Sequence, residues 1–304
     1  MIADCSGPAL SAVPSCWWAA VRGVNIGCVS FKGSYAAAAA LWPEGTESRH
    51  VSTIWGDTHV LCTGTPGGPT FLMLSGYGAT ATAWANMARL LAGRYRLLAP
   101  EPPGSPGLST VNRAFGTSAD MVEWLRELLD QLMAPTVHIV AHSAGAHLAL
   151  EFALAHTQRV TALTLLDPTL CFAGLSPRYR LRALPILVRP TAVRVRRFID
   201  WEVGARTPER IWLQAFIAGA TDFDRTPIVR TKRPSARQLA GLTVPTLVVV
   251  ADRSRAHNPQ RVARRGTQLS CVTATHITDA THHTMPVLDA DLLAELVARQ
   301  DGPD

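Results

Sequence analysis

From residue 49 onward, apolar and polar positions fall into a repeating order of strand-like and helix-like segments. "HVSTIW" and "THVLCTG" flank Gly56-Asp57, a turn pair, and predict a hairpin. Thr70 to Ser75, "TFLMLS", is a short apolar run of the kind expected for a strand buried on both faces. A helix-like stretch runs from about Ala83 to Ala92, followed by the strand-like "YRLLAP". Met121, Leu125, Leu128, Leu129 and Leu132 then recur at helical spacing. "TVHIVAHS" reads as the next strand and "AGAHLALEFALAH" as the next helix. "VTALTLLD" and "VPTLVVVAD" complete the apolar runs, and "DADLLAELVARQ" is a final helix.

Strand and helix patterns in alternation predict a mostly parallel central sheet with helices on both faces. The alternation fails between about Thr169 and Leu239, where the chain is Arg-rich, punctuated by Pro and helix-like in pieces. The expected organisation is an α/β core, residues 46–168 and 236–304, with a helical cap, 169–235, inserted over one end of the sheet. Ligands bind beyond the carboxyl ends of such strands, so a cap there shapes a pocket. Residues 1–45 lack steady periodicity. Asp4 is their first charge and Lys32 interrupts the later apolar stretch, a poor match to a secretory signal or a membrane span. A loosely ordered extension is expected.

Composition sharpens this picture. Hydrophobic residues make up 47% and charged residues 17% of the 304, enough for a sizeable core. The net charge is +6, but residues 171–235 alone hold 12 Arg and one Lys against five Asp plus Glu. The basic balance therefore belongs to the cap. No Lys or Arg run interleaves with aromatics, which argues against a nucleic-acid partner. The six cysteines are scattered without a CxxC pair, so neither a zinc nor a redox motif is expected, and reduced thiols in a cytoplasmic protein are the simpler reading.

The chemistry centres on "VAHSAGAHLAL", residues 140–150. Ser143 follows a strand and precedes a helix, the setting in which Gly-x-Ser-x-Gly aims a nucleophile away from a sheet. Its flanks two residues away, Ala141 and Gly145, are small as that turn needs. The alternative is a plain strand-to-helix corner.

Residues 49–299 resemble the α/β-hydrolase superfamily, particularly its bacterial carboxylesterase-like branch. "FLMLSGYGATATAW" is similar to the family's first central strand and oxyanion loop, with Ser75-Gly76 where His-Gly is usual. "YRLLAPEPPGSPGLST" resembles the next strand and its Pro-Gly-rich loop, with Glu101 where Asp is commoner. "VPTLVVVADRS" resembles the penultimate strand, and "THHTMPVLDADLLAEL" the histidine loop and last helix.

The resemblance implies that Ser143 is the nucleophile. It implies an oxyanion hole from the backbone N–H groups of Ala144 and of the loop at Gly76-Tyr77, with Tyr77 the donor. It implies a histidine base from the adjacent pair His282 and His283; His282, after the small Thr281, is favoured. His138, His142, His147 and His156 read as structural. The acid departs from the family pattern, because Ser254 occupies its usual position. Asp252, two residues early, and Asp167, after "VTALTLL", both remain candidates, with Asp167 preferred.

The expected activity is acyl transfer from a small-molecule carboxylic ester by a Ser-His-Asp mechanism, without a metal or organic cofactor. A thioesterase or cyclase acting on a carrier- or coenzyme A-linked acyl group is the second reading. It is suggested by "HHTM", by the placement of Asp167, and by cap arginines suited to phosphate. A non-catalytic binding module on the same fold is the alternative from another class. A serine nucleophile argues against the epoxide-hydrolase and dehalogenase chemistries of this superfamily.

Overall fold

The computed structural model describes residues 30–223 and 226–300. Helix α1 (Phe31–Ala39) leads into an antiparallel pair, β1 (Glu47–Thr53) and β2 (Gly56–Gly64). Next come β3 (Thr70–Leu74), α2 (Ala85–Leu91), β4 (Arg96–Pro100), α3 (Ser118–Gln131), β5 (Val137–His142), α4 (Ala144–Ala155) and β6 (Val160–Leu166). Three helices follow: α5 (Pro177–Val188), α6 (Ala192–Val203) and α7 (Arg210–Thr221). The chain then returns through α8 (Ala236–Leu239), β7 (Thr246–Ala251), α9 (Pro259–Gly266), β8 (Val272–Ile277), α10 (Met285–Leu288) and α11 (Ala290–Gln300).

The eight strands form one sheet in the order β1-β2-β4-β3-β5-β6-β7-β8. All pairings from β4 to β8 are parallel, and β2 joins β4 antiparallel. The central strands β3 and β5 are almost wholly buried, which explains their unbroken apolar runs. One face packs Trp124, Leu128 and Phe152 of α3 and α4, with Val262 of α9. The other packs Trp84, Met87 and the α11 residues Leu293 and Val297. The cap helices have their own core, in which Val195, Phe198 and Ile199 of α6 meet Trp212 and Phe216 of α7.

Three local expectations are corrected. The hairpin turns at Ile54-Trp55 rather than Gly56-Asp57, because Thr53 pairs with Gly56. There the Thr53 hydroxyl donates to the Gly56 carbonyl (2.9 Å) and accepts from the Trp55 N–H (3.3 Å). Gly56 serves close packing instead: a Cβ there would lie 2.1 Å from the Thr110 carbonyl oxygen. Strand β8 has no counterpart among the predicted apolar runs, since it is an edge strand with only its end residues buried. Residues 30–45, placed in a loosely ordered extension, contain α1, capped by Ser30 and packed through Phe31 and Tyr35 against Ala218 of α7. The rest of that extension, with Cys5, Cys16 and Cys28, lies outside the described residues, among which Cys62, Cys171 and Cys271 are free thiols. Among the described residues no helix is long and apolar enough to cross a membrane.

Candidate active site

Parallel strands bring their carboxyl ends to one edge of the sheet, and the register aligns them closely. Leu74 of β3 lies beside Ala141 of β5, and His142 beside Leu166 of β6. The residues that follow these strands are therefore neighbours: Ser75, Ser143 and Asp167. The Ser143 N–H donates to the Leu166 carbonyl (3.0 Å) and the Asp167 N–H to the Val249 carbonyl (2.7 Å).

Ser143 has φ +55° and ψ −116°. A residue with a side chain is seldom found there, and such strain persists only where the surroundings over-determine it. Gly145 is one determinant, because a Cβ on it would sit 2.5 Å from the Leu74 carbonyl oxygen. Gly76 is another: a Cβ would lie 2.9 Å from the Ser143 Cβ and 2.8 Å from His142 Nδ1. The loop carrying Tyr77 thus runs directly against the serine. Ala141, where the family motif has Gly, buries its methyl in the core beneath α3 and α4.

His282 Nε2 lies 2.8 Å from Ser143 Oγ, and its Nδ1 lies 2.6 Å from Asp167 Oδ2. Asp167, itself at φ +40°, is fully buried. Its Oδ2 also accepts from the Ser254 hydroxyl (2.6 Å), and its Oδ1 from the Ala251 N–H (3.1 Å). Burial pushes its pKa up, but the charges and hydrogen bonds of His257 and His282 more than reverse this and hold it well below the usual carboxylate range. With Asp167 ionised, the Nδ1 proton of His282 is assigned to that hydrogen bond, leaving Nε2 to accept from the serine.

Sequence-derived candidates divide cleanly by position. Ser143, His282 and Asp167 are brought together. Asp252 is not: it lies past the end of β7 and accepts from His276 Nδ1 (2.7 Å) at the surface. Ser254, in the family's usual acid position, instead donates to Asp167. His283 turns towards the cap, within 3.2 Å of the Tyr179 hydroxyl and packed against Phe198 and Phe216. Burial, aided by the neighbouring His282, holds its pKa well below the usual histidine value. Tyr77 and Ala144 both line the main cavity beside Ser143.

Three supporting residues escaped sequence reasoning. His142, read only as structural, donates from Nε2 to the His282 carbonyl (2.8 Å) and so fixes the histidine loop. Burial first, and then the His282 charge, lowers its pKa to about 3, which keeps it neutral. His257 places Nε2 3.3 Å from Asp167 Oδ1 in a fully buried pair. Burial lowers its pKa, but Asp167 raises it further, for a net upward shift. Glu202 of α6 accepts the backbone N–H groups of His282 (3.0 Å) and His283 (3.1 Å) on its two oxygens. Burial raises its pKa despite opposing interactions with His282 and the two N–H groups. Its signal was legible: Val195, Phe198, Ile199 and Val203 make the buried stripe of α6, and Glu202 lies on that stripe. Asp167, His257 and His282 place donor atoms within 4.8 Å of one another. Both Asp167 oxygens are already engaged by hydrogen bonds, so the set fits an oriented imidazole better than an ion cage.

Ser143 opens onto a cavity of about 770 Å³ between the sheet edge and the cap. Its walls are mostly aliphatic and aromatic, including Leu148, Leu170, Leu184, Phe198 and Ile228. A small acyl or aryl group fits such a chamber through apolar contact.

Similar proteins agree with this architecture. Carboxylesterase YbfK of Bacillus subtilis is 23% identical over 249 residues, 79% of this chain and 82% of that protein. The crystal structure of the B. subtilis carboxylesterase CesB (YbfK) superposes with a TM-score of 0.84 at 21% identity, covering 90% of this chain and 98% of that one. That of the B. subtilis naproxen esterase gives 0.81 at 23% identity, covering 92% and 100%. Residues 71–296 match the alpha/beta hydrolase family, and with the sheet order and cap above this establishes that the chain belongs to that family.

Proposed function

We propose that the protein hydrolyses carboxylic esters through Ser143, His282 and Asp167. The observation that carries this reading is the continuous hydrogen-bonded array, Oγ to Nε2 at 2.8 Å and Nδ1 to Oδ2 at 2.6 Å, opening from a strained turn onto an apolar cavity. The named carboxylesterases among its relatives support the same substrate class.

In this mechanism Ser143 Oγ attacks the ester carbonyl while His282 Nε2 takes its proton. The imidazolium so formed is stabilised by ionised Asp167. The carbonyl oxygen gains negative charge and is held by the N–H groups of Ala144, at the start of α4, and Tyr77. Donors of this kind each stabilise the transition state by about 3 kcal/mol. His282 then gives its proton to the departing alkoxide, leaving an acyl-serine. Water, deprotonated by His282, attacks this ester and releases the acid, and the proton returns to Ser143 Oγ.

The same groups can cleave a thioester. The arginine-rich cap is the observation that favours a carrier- or coenzyme A-linked acyl group as the second reading.

Labelling by a fluorophosphonate probe tests the nucleophile, with hydrolysis of p-nitrophenyl esters measured alongside. Wild type is expected to be labelled and active. Ser143→Ala is expected to lose labelling and about 10⁴-fold or more in kcat, with unchanged thermal unfolding. Labelling or turnover that survives in this variant overturns the assignment.

A further inference from the structure

A helix at a protein surface normally turns its apolar stripe inward and its polar side out. Helix α5 is apolar on both sides. Tyr179, Ala183 and Ile186 pack inward onto the cap core. Leu181, Leu184, Leu187 and Val188 point outward, with Leu181 71% and Val188 75% exposed. Val193, at the start of α6, extends the row and is 59% exposed. Of the twelve large apolar side chains exposed among the described residues, these five stand on adjacent helices. Single exposed leucines need no explanation, but a contiguous row marks an interaction surface.

The charge around the row is mostly positive. Residues 168–203 contain seven arginines against Asp200, which pairs with Arg196 (2.7 Å), and Glu202, which is buried. Arg178 and Arg182 stack over Trp201, to the side of the row. Arg180, Arg189 and Arg197 are exposed around it. Leu181, Leu184 and Leu187 also line the cavity that reaches Ser143. The outer aliphatic face and the chamber are therefore one continuous apolar path.

We propose that the α5–α6 face of the cap docks on an anionic lipid bilayer, with the aliphatic row inserted among acyl chains and the arginines on lipid phosphates. An amphipathic surface of this kind binds through buried apolar area plus attraction of basic residues to anionic headgroups. An acidic carrier protein would answer the arginines but leave the outward aliphatic row exposed to water; a bilayer answers both. An apolar ester leaving the membrane then meets mostly apolar side chains on the route to the serine. The docking surface itself does not depend on the ester-hydrolase reading; only this delivery route does.

Vesicle flotation tests it, with the full chain carrying Ser143→Ala so that no lipid is consumed. Vesicles of phosphatidylcholine are compared with vesicles containing added phosphatidylglycerol. Binding to the anionic vesicles is expected to be at least about tenfold stronger and to weaken as salt is raised. Val188→Asp combined with Val193→Asp is expected to reduce that binding at least about tenfold. In the otherwise wild-type chain, the same pair should leave thermal unfolding and hydrolysis of a short water-soluble ester unchanged, since neither valine lines the cavity. Arg189→Gln with Arg197→Gln should remove much of the salt dependence. Equal binding to both vesicle types, or binding indifferent to the valine changes, overturns the proposal. So does retention of an acidic acyl carrier protein without any vesicle binding. Loss of esterase activity together with normal flotation sinks the catalytic reading alone, so the two failures are distinguishable.

Discussion

Among the described residues, the buried carboxylates Glu101 and Asp167 each hold a histidine whose other ring nitrogen meets a serine, but only Ser143 borders the chamber. In the first, His59 Nδ1 lies 3.1 Å from Glu101 Oε2, and both side chains are shielded from solvent. Glu101 also accepts the N–H groups of Ala81 (3.1 Å) and Leu108 (2.7 Å), while His59 lies 3.4 Å from the Tyr35 hydroxyl. On its other ring nitrogen, Nε2, His59 meets the hydroxyl of Ser48 (2.6 Å), which is exposed on β1, while the remaining groups face inward onto loops, strands or α1. In the second pair, His282 and Asp167, the outer imidazole nitrogen meets Ser143, which borders the cavity. The chemical groups are the same. The difference lies in the serine: Ser48 sits in regular strand pairing at the surface, whereas Ser143 is held in a strained turn facing the chamber. Buried charge pairing alone is therefore poor evidence of catalysis, and its geometry towards a cavity is what carries meaning.

Replacing each carboxylate by its amide separates the two roles. Asp167→Asn keeps the shape but can present an N–H₂ where the imidazole N–H must donate, favouring the wrong tautomer. A loss of about 10³–10⁴-fold in kcat is expected for ester hydrolysis, whereas Asp252→Asn, at the surface with His276, should stay within about twofold. The acid's depressed pKa adds a stability signature. Its contribution is complete above the unfolded value near 4 and is lost as pH falls through the lower folded value. The stability gap between wild type and Asp167→Asn should therefore be widest at neutral pH and narrow below about pH 4. Near-full activity in Asp167→Asn would remove the distinction between the pairs.

Glu101→Gln should behave in the opposite way. One oxygen that accepts a buried N–H becomes a donor, so at least one backbone or imidazole N–H is left unsatisfied. Such a loss costs about 1–3 kcal/mol. Denaturant unfolding is expected to show that destabilisation, while kcat/KM for a soluble ester changes by less than about twofold in the folded protein. A large fall in kcat without a loss of stability would mean that the first pair takes part in the chemistry.

These contrasts also explain what could be read from the chain. The central strands were legible because burial on both faces forces unbroken apolar runs, as in β3 and β5. The Ser143 turn was legible because its steric demands fall on near neighbours: a Cβ at Gly145 has no room beside β3. Strand β8 was not, because an edge strand need not be apolar. The choice between Asp167 and Asp252 was also not legible. Both follow strands, and only the register of β6 against β7 determines which carboxylate meets the imidazole. His257 and Glu202 act across about 90 and 80 residues of chain respectively, a separation at which local patterning carries no information about partners. Glu202 alone left a trace, as a charge on the buried stripe of a helix.

That trace leads to the smallest of the expected effects. Glu202 belongs to the cap, yet it holds two consecutive backbone N–H groups of the loop that carries His282. It touches no reacting atom, so its role is positioning, together with a negative charge near the imidazole. Glu202→Gln keeps one acceptor and removes both the second and the charge. A fall of about tenfold in kcat at pH 8, with little change in KM, is expected, equivalent to about 1.4 kcal/mol. Because burial raises the pKa of Glu202, the wild-type carboxylate becomes protonated at a higher pH than an exposed one. Protonation removes the same charge and weakens one of the same acceptors. The ratio of wild-type to variant kcat should then fall towards one as the pH is lowered and Glu202 takes up its proton. A purely structural residue would give a pH-independent ratio, and that result would confine Glu202 to holding the cap in place.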